Sequence, residues 1–328
     1  MRRLGREHRL VEAGDDPRRR DAVSEGVWVI GGGVIGSLFA AHLSRVADVT
    51  LLCRRDEHAA AVSENGIRVS GRADFVGRPR ASTDPAGLAD AGLVIVATKA
   101  NDVEAAAAQL EGRLGDGSVM TVQNGLGAEE VVRGHGPWPL LSAVTFMSGT
   151  KLADDHVEYV LDTPTWLAPY DDAPLDLAER SAALIVESGL KAEAMPDLGP
   201  ARWSKLIFNA TVNSVAALTG LPHDYHFAEL DRSTDLGHLV RGLMEEGKRI
   251  ASAAGISLRE DPWEMNVLAT QRGSRHYPSM LEDVEARRPT EVDFITGALV
   301  READRRRVEA PLMTAVYRLV KARETSYL

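Results

Sequence analysis

The sequence predicts an α/β protein in two parts, a doubly wound sheet followed by an all-α region. Three observations carry this reading. Short apolar strands alternate with helical stretches from Val27 to Leu167. A glycine-rich turn separates the first strand from the first helix. From Ala201 onward strand signals stop and helical spacing takes over. A chain of 328 residues, at roughly 150 per domain, agrees with two domains.

Taken in order, Val27-Trp28-Val29-Ile30 reads as a buried strand, and Val34 to Arg45 as the helix behind it. Val49 to Cys53 is a second strand, with a helix from Asp56 to Asn65. Ile67–Val69 and Phe75–Val76 suggest a short, half-exposed hairpin. Leu93-Val94-Ile95-Val96-Ala97 is the most continuous apolar run, as a parallel strand covered on both faces requires. Asp102 is placed to cap an alanine-rich helix, Val103 to Leu114, and strands follow at Val119–Val122, Leu141–Phe146, Val157–Val160 and Thr165–Leu167. Two prolines and a glycine between Met195 and Pro200 break the pattern. Helices are then expected at Arg202–Leu218, Ser233–Ala254, Pro262–Gln271, Ser279–Arg287, Thr290–Arg305 and Pro311–Lys321. The division this implies is an arm over 1–24, a cofactor-binding sheet domain over 25–196 and a helical domain over 197–328.

Composition removes several functions. Lys+Arg number 38 against 48 Asp+Glu, and a net charge of −10 is the wrong sign for coating nucleic acid. The single cysteine, Cys53, cannot form an intrachain disulfide or a cysteine-cluster metal site. The uncharged stretch from Gly26 to Ser44 contains five glycines and so makes a poor apolar helix, whether for export or for spanning a membrane. The first 24 residues hold seven arginines and five acids with no apolar period, which reads as a solvated arm. A cytoplasmic enzyme acting on small molecules is the expectation, with neither membrane nor nucleic acid as partner. Assembly stays open, a homodimer being the commonest form of such enzymes.

Gly31-x-Gly33-x-x-Gly36 follows a strand and opens a helix, the setting in which this spacing cradles a dinucleotide pyrophosphate. Gly31 allows the turn, Gly33 lets backbone approach the phosphates, and Gly36 permits close packing; Val34 and Ile35 carry the first helical N–H groups. The second strand ends in Cys53-Arg54-Arg55, with no acid until Asp56. Two guanidiniums there suit the 2′-phosphate of NADP(H) rather than the ribose hydroxyl of NAD, unless both are simply solvated loop residues.

Lys205, Asn209 and Asn213 recur every fourth residue along one side of an otherwise largely apolar helix. Either they form that helix's solvent face, or they face a cleft where a ligand satisfies them. Lys99 and Asn124 follow parallel strands, where an open sheet places its ligand crevice. Ser279 with Glu282 matches a capping box, and Glu291 lies at a helix start where an acid is favoured without any function. His223, His226 and Glu229 could suggest a metal site, but nothing else in the chain supports one.

Together GGGVIG (31–36), ATKA (97–100), QNGLG (123–127), WSKLIFNATVN (203–213) and PSMLEDVEARRPTEVDFITG (278–297) resemble the ketopantoate reductase (2-dehydropantoate 2-reductase) family from about residue 26 to 322. The resemblance implies a Rossmann-type domain joined to a helical domain like that of 6-phosphogluconate dehydrogenase, with NADPH as hydride donor to a 2-keto acid. It implies that Lys205 is the catalytic proton donor and that Glu291 positions substrate and nicotinamide ribose. Asn209, Asn213 and Ser279 would bind substrate, Lys99 and Asn124 would lie beside the nicotinamide, and Arg54 would face the 2′-phosphate. Thr145–Gly149 and Ile207-Phe208 differ from the commonest forms of the pantothenate enzyme, and the family has paralogues acting on other 2-keto acids. The readings carried forward are reduction of ketopantoate, reduction of another 2-keto acid or ketone, and a non-catalytic NADP(H) sensor.

Overall fold

The structure, a computed structural model, describes residues 26–229, 235–271 and 277–328. The arm over 1–24 and the expected helix start at Ser233 lie outside the described residues. Six strands, β1 (Gly26–Ile30), β2 (Val49–Leu52), β5 (Arg80–Ser82), β6 (Ala91–Val96), β7 (Ser118–Thr121) and β8 (Leu140–Thr145), run parallel in the order β8-β7-β6-β1-β2-β5. β11 (Thr165–Tyr170) joins β8 antiparallel, and β12 (Ala192–Ala194) closes that edge. The order reverses direction between β1 and β6, so the crevice at their C-terminal ends is where such a sheet receives a ligand.

Alternation along each strand builds both faces. Val27 and Val29 pack with Phe39 of α1 (Val34–Leu43) and Ile185 of α5 (Leu175–Glu187). Trp28 and Ile30 pack on the opposite face with Ala106 of α3 (Val103–Leu110) and Val132 of α4 (Ala128–His135). Between β2 and β5 lie α2 (Asp56–Asn65), β3 (Ile67–Gly71) and β4 (Phe75–Gly77).

The strand reading needs one correction. β3 and β4 do form the expected hairpin, but with β9 (Ser148–Ala153) and β10 (His156–Leu161) they make a separate four-stranded sheet, order β4-β3-β10-β9, lying against α1. β5, β9 and β12 had no signal, since short or largely exposed edge strands carry no apolar period.

The C-terminal region is helical: α6 (Gly199–Thr219), α7 (Asp235–Ala253), α8 (Pro262–Gln271), α9 (Ser279–Glu285), α10 (Thr296–Arg306) and α11 (Pro311–Thr325). Leu206 and Ile207 of α6, Met244 of α7, Leu281 of α9 and Met313 of α11 share its core. Helix starts depart from expectation at three places. Asp102 precedes α3, but its carboxylate caps nothing and lies 4.0 Å from Arg54. Ser279 is the first residue of α9 rather than its cap, a position held by Pro278, so the capping box does not form. Residues 291–295 are a turn, because the Glu291 carbonyl takes the N–H groups of both Phe294 and Ile295 before α10 begins.

Candidate active site

At the end of β1 the chain turns through Gly31, with φ +107°, into the start of α1. A side chain at Gly36 would put its Cβ 1.8 Å from the Gly31 carbonyl oxygen, so helix and turn meet only because that position is bare. Nothing lies within 4 Å of a Cβ built on Gly33. The space over Gly33 is open, the first turn of α1 holds no acid and no side chain caps it. Free N–H groups at a positive dipole end, beside an open glycine, fit a dinucleotide pyrophosphate. Val34 and Ile35, both half-buried, form the first turn there.

Beyond β2, Arg54 extends into solvent, 88% exposed. Arg55 points elsewhere, with its Nη2 2.6 Å from Asp154 Oδ1 in the β9–β10 turn. The two arginines read as a pair in the sequence are thus not equivalent.

Six segments converge across the crevice. Lys99, after β6, forms an ion pair with Asp283 of α9. Its neighbour Ala100 donates its N–H to Glu291 Oε1 at 2.9 Å, and Asn101 Nδ2 donates to the Thr290 carbonyl at 2.9 Å. Asn124, after β7, accepts from Asn209 Nδ2 of α6 at 3.4 Å. Gly125, φ +94°, passes so near Phe294 that a Cβ would lie 2.2 Å from its carbonyl oxygen. Lys205 of α6 donates from Nζ to the Thr145 carbonyl at the end of β8, with the Phe146 ring centroid 5.0 Å from that nitrogen. Asn213 is buried two turns along α6, and Ser279 is exposed at the start of α9.

Burial dominates the charges here. It drives the Lys205 ammonium down to about 8; Glu291 pulls it back up and Arg202 pushes it further down. Burial also raises the Glu291 carboxyl above its ordinary range, against the Ala100 N–H and the charges of Lys99 and Lys205. A lysine that gives up its proton near neutral pH can act as general acid as well as stabilise an anion.

Several neighbours were not legible in the sequence. Arg202, one turn before Lys205, reaches Glu129 Oε1 at 2.5 Å, and the same oxygen takes the hydroxyls of Thr121 and Ser142, each at 2.7 Å. This buried carboxylate ties β7, β8, α4 and α6 together, the partners being 73 residues apart in the chain. The spacing of Arg202 to Lys205 was a usable signal; nothing in the sequence pointed to Glu129, Asp283 or Asp154. His223 lies in the helical core, with Nε2 2.8 Å from Asn266 Oδ1.

Two family models match the chain: "Ketopantoate reductase PanE/ApbA" over residues 27–172 and "Ketopantoate reductase PanE/ApbA C terminal" over residues 197–324. The chain belongs to the ketopantoate reductase family. As a member, it is an oxidoreductase.

A 2-dehydropantoate 2-reductase of Pyrococcus horikoshii is 28% identical over 300 residues, 91% of this chain and 97% of the relative. One from Streptococcus pyogenes is 28% identical over 303 residues, again 91% and 97%. Among solved structures, a 2-dehydropantoate 2-reductase from Methylococcus capsulatus superposes with TM-score 0.81 at 27% identity, covering 92% of this chain and 97% of that one. D-mandelate dehydrogenase, solved with NADH and anilino(oxo)acetate, shares the fold with TM-score 0.82 at 23% identity, covering 92% and 99%.

Proposed function

We propose that this chain reduces 2-dehydropantoate to pantoate with NADPH, with Lys205 as proton donor. The observation that carries this is the placing of a desolvated lysine, its pKa lowered to about 8, at the crevice end of β8 and within the field of Glu291. Bound NADPH would supply the hydride. Gly31, Gly33, Val34, Ile35 and Gly36 would hold its pyrophosphate, Arg54 its 2′-phosphate, and Lys99 and Asn124 would flank the nicotinamide. As the ketone becomes an alkoxide, the Lys205 ammonium stabilises the charge and then gives its proton to that oxygen. Glu291 keeps Lys205 protonated and, reached by the Ala100 N–H, fixes the loop after β6 against the helical region. Asn209, Asn213 and Ser279 are assigned to substrate. On this reading residues 25–196 form the cofactor domain and 197–328 the substrate domain.

A second reading has its own observation. The rings of Phe146 and Phe208 are half-buried and 6.4 Å apart, with Phe146 beside Lys205 Nζ. Such a wall suits a 2-keto acid with an aryl or branched apolar side chain. Loss of nicotinamide absorbance, measured with ketopantoate and a panel of 2-keto acids, separates the two. Fast turnover confined to ketopantoate supports the first. Turnover on aryl keto acids that Phe146→Ala abolishes selectively supports the second, and cofactor binding without turnover on any of them refutes both.

A further inference from the structure

The acid that usually marks an NAD site is absent from the end of β2, yet a carboxylate stands beside that end. Asp154 comes from the other sheet, in the turn joining β9 to β10, and its Oδ1 lies 2.6 Å from Arg55 Nη2 and 3.9 Å from His58 Nδ1. Its place is fixed at several points. Lys151 Nζ donates to the Asp154 carbonyl at 3.0 Å and to Ser37 of α1 at 2.7 Å. The next residue, Asp155, takes the Arg68 N–H at 2.7 Å and the Asn65 side chain at 2.9 Å. The His58 ring, whose Nε2 is buried without a partner, packs against Gly32 of the glycine turn, where a Cβ would lie 2.2 Å from its Cε1. This turn of the second sheet therefore sets a negative charge next to Arg55 and to the His58 ring that packs on the glycine loop. Arg55 holds that charge on, and Lys151 touches only the Asp154 backbone.

We propose that Asp154 is a selectivity residue for the cofactor: it holds Arg55 and repels a 2′-phosphate, leaving Arg54 as the principal 2′-phosphate contact. This rests on the NADPH reading above. A 2′-phosphate arriving beside Arg54 meets one exposed guanidinium, 4.0 Å from Asp102, and one already neutralised by a carboxylate hydrogen-bonded to it. The chain then discriminates NADPH from NADH less strongly than Arg54-Arg55 implies, and removing the carboxylate sharpens the preference.

The test uses the full chain and two ligands that lack nicotinamide and differ only by the 2′-phosphate, 2′,5′-ADP and 5′-AMP, titrated calorimetrically, so the readout does not depend on turnover. Asp154→Asn should tighten 2′,5′-ADP relative to 5′-AMP by about 2- to 5-fold, the size of one exposed charge–charge interaction. Asp154→Ala should act in the same direction, and because the two ligands share one protein sample, partial loss of fold cancels in the ratio. An unchanged or reduced ratio in both variants overturns the proposal. Arg54→Ala tells the two levels apart. If it weakens 2′,5′-ADP selectively while both Asp154 variants leave the ratio alone, only the role of Asp154 fails. If wild type and every variant bind the two ligands alike, the 2′-phosphate reading fails and the proposal with it.

Discussion

Arg202→Met removes the guanidinium that neutralises Glu129 and leaves a carboxylate buried among β7, β8 and α4. Glu129 is 3% exposed and Arg202 12%, so water can replace little of the lost partner. Thr121 and Ser142 still donate to Glu129, but two neutral hydroxyls do not balance a buried charge. Breaking a buried pair in this way costs about 3–5 kcal/mol, and the melting temperature should fall by on the order of 10 °C. Replacing both partners, Glu129→Gln with Arg202→Met, should recover much of the loss, because no charge is then stranded. Burial alone would raise the Glu129 carboxyl, but Arg202, Ser142 and Thr121 hold it below its ordinary 4.5. Its stabilising effect is therefore complete above that value and fades as pH falls through the lowered folded value, so wild type and Arg202→Met should converge in acid. Calorimetry of the four proteins across pH checks this. A single variant within about 0.5 kcal/mol of wild type, or a double variant worse than either single, would refute the reasoning.

Three further outcomes follow from the same geometry. Reductive turnover should fall as pH rises through about 8, where Lys205 loses its proton, and Glu291→Gln should move that limb to lower pH; an unmoved limb in the pH–rate profile contradicts the electrostatic link. Gly36→Ala forces a Cβ into the Gly31 carbonyl and should weaken NADPH by about tenfold or more in a binding titration, whereas unchanged affinity would show the turn to be tolerant. Glu324, buried at the end of α11, takes the Thr290 N–H at 2.8 Å and hydroxyl at 2.6 Å, so Glu324→Ala should loosen the turn carrying Glu291. About a tenfold drop in kcat with NADPH affinity intact is expected for it, and equal losses in both would mean general unfolding.

The parts of the fold that obey a period were legible in the sequence. β1, β2, β6 and β7 are largely apolar and buried on both faces, and Gly31, Gly33 and Gly36 announce their backbone geometry. β9 was not legible, because it is a largely exposed edge strand whose pairing with β10 is decided by tertiary contact. The start of α10 was misplaced for a related reason: Glu324, 34 residues away, takes the Thr290 N–H and hydroxyl just before the turn. Lys205, Asn209 and Lys99 could be picked out by spacing and strand ends. Their partners, Thr145, Asn124 and Asp283, come from distant segments that only folding brings near. Arg55 is the instructive case. Its sequence neighbourhood says phosphate, and Asp154, 99 residues later, redirects it.

The most direct test of the central claim compares wild type with Lys205→Ala for oxidation of NADPH by ketopantoate. Wild type should turn over readily, the variant should show a kcat at least about 10²-fold lower, and both should have the same NADPH dissociation constant. A variant that keeps its kcat, or a wild type that binds NADPH and leaves ketopantoate untouched, would contradict it.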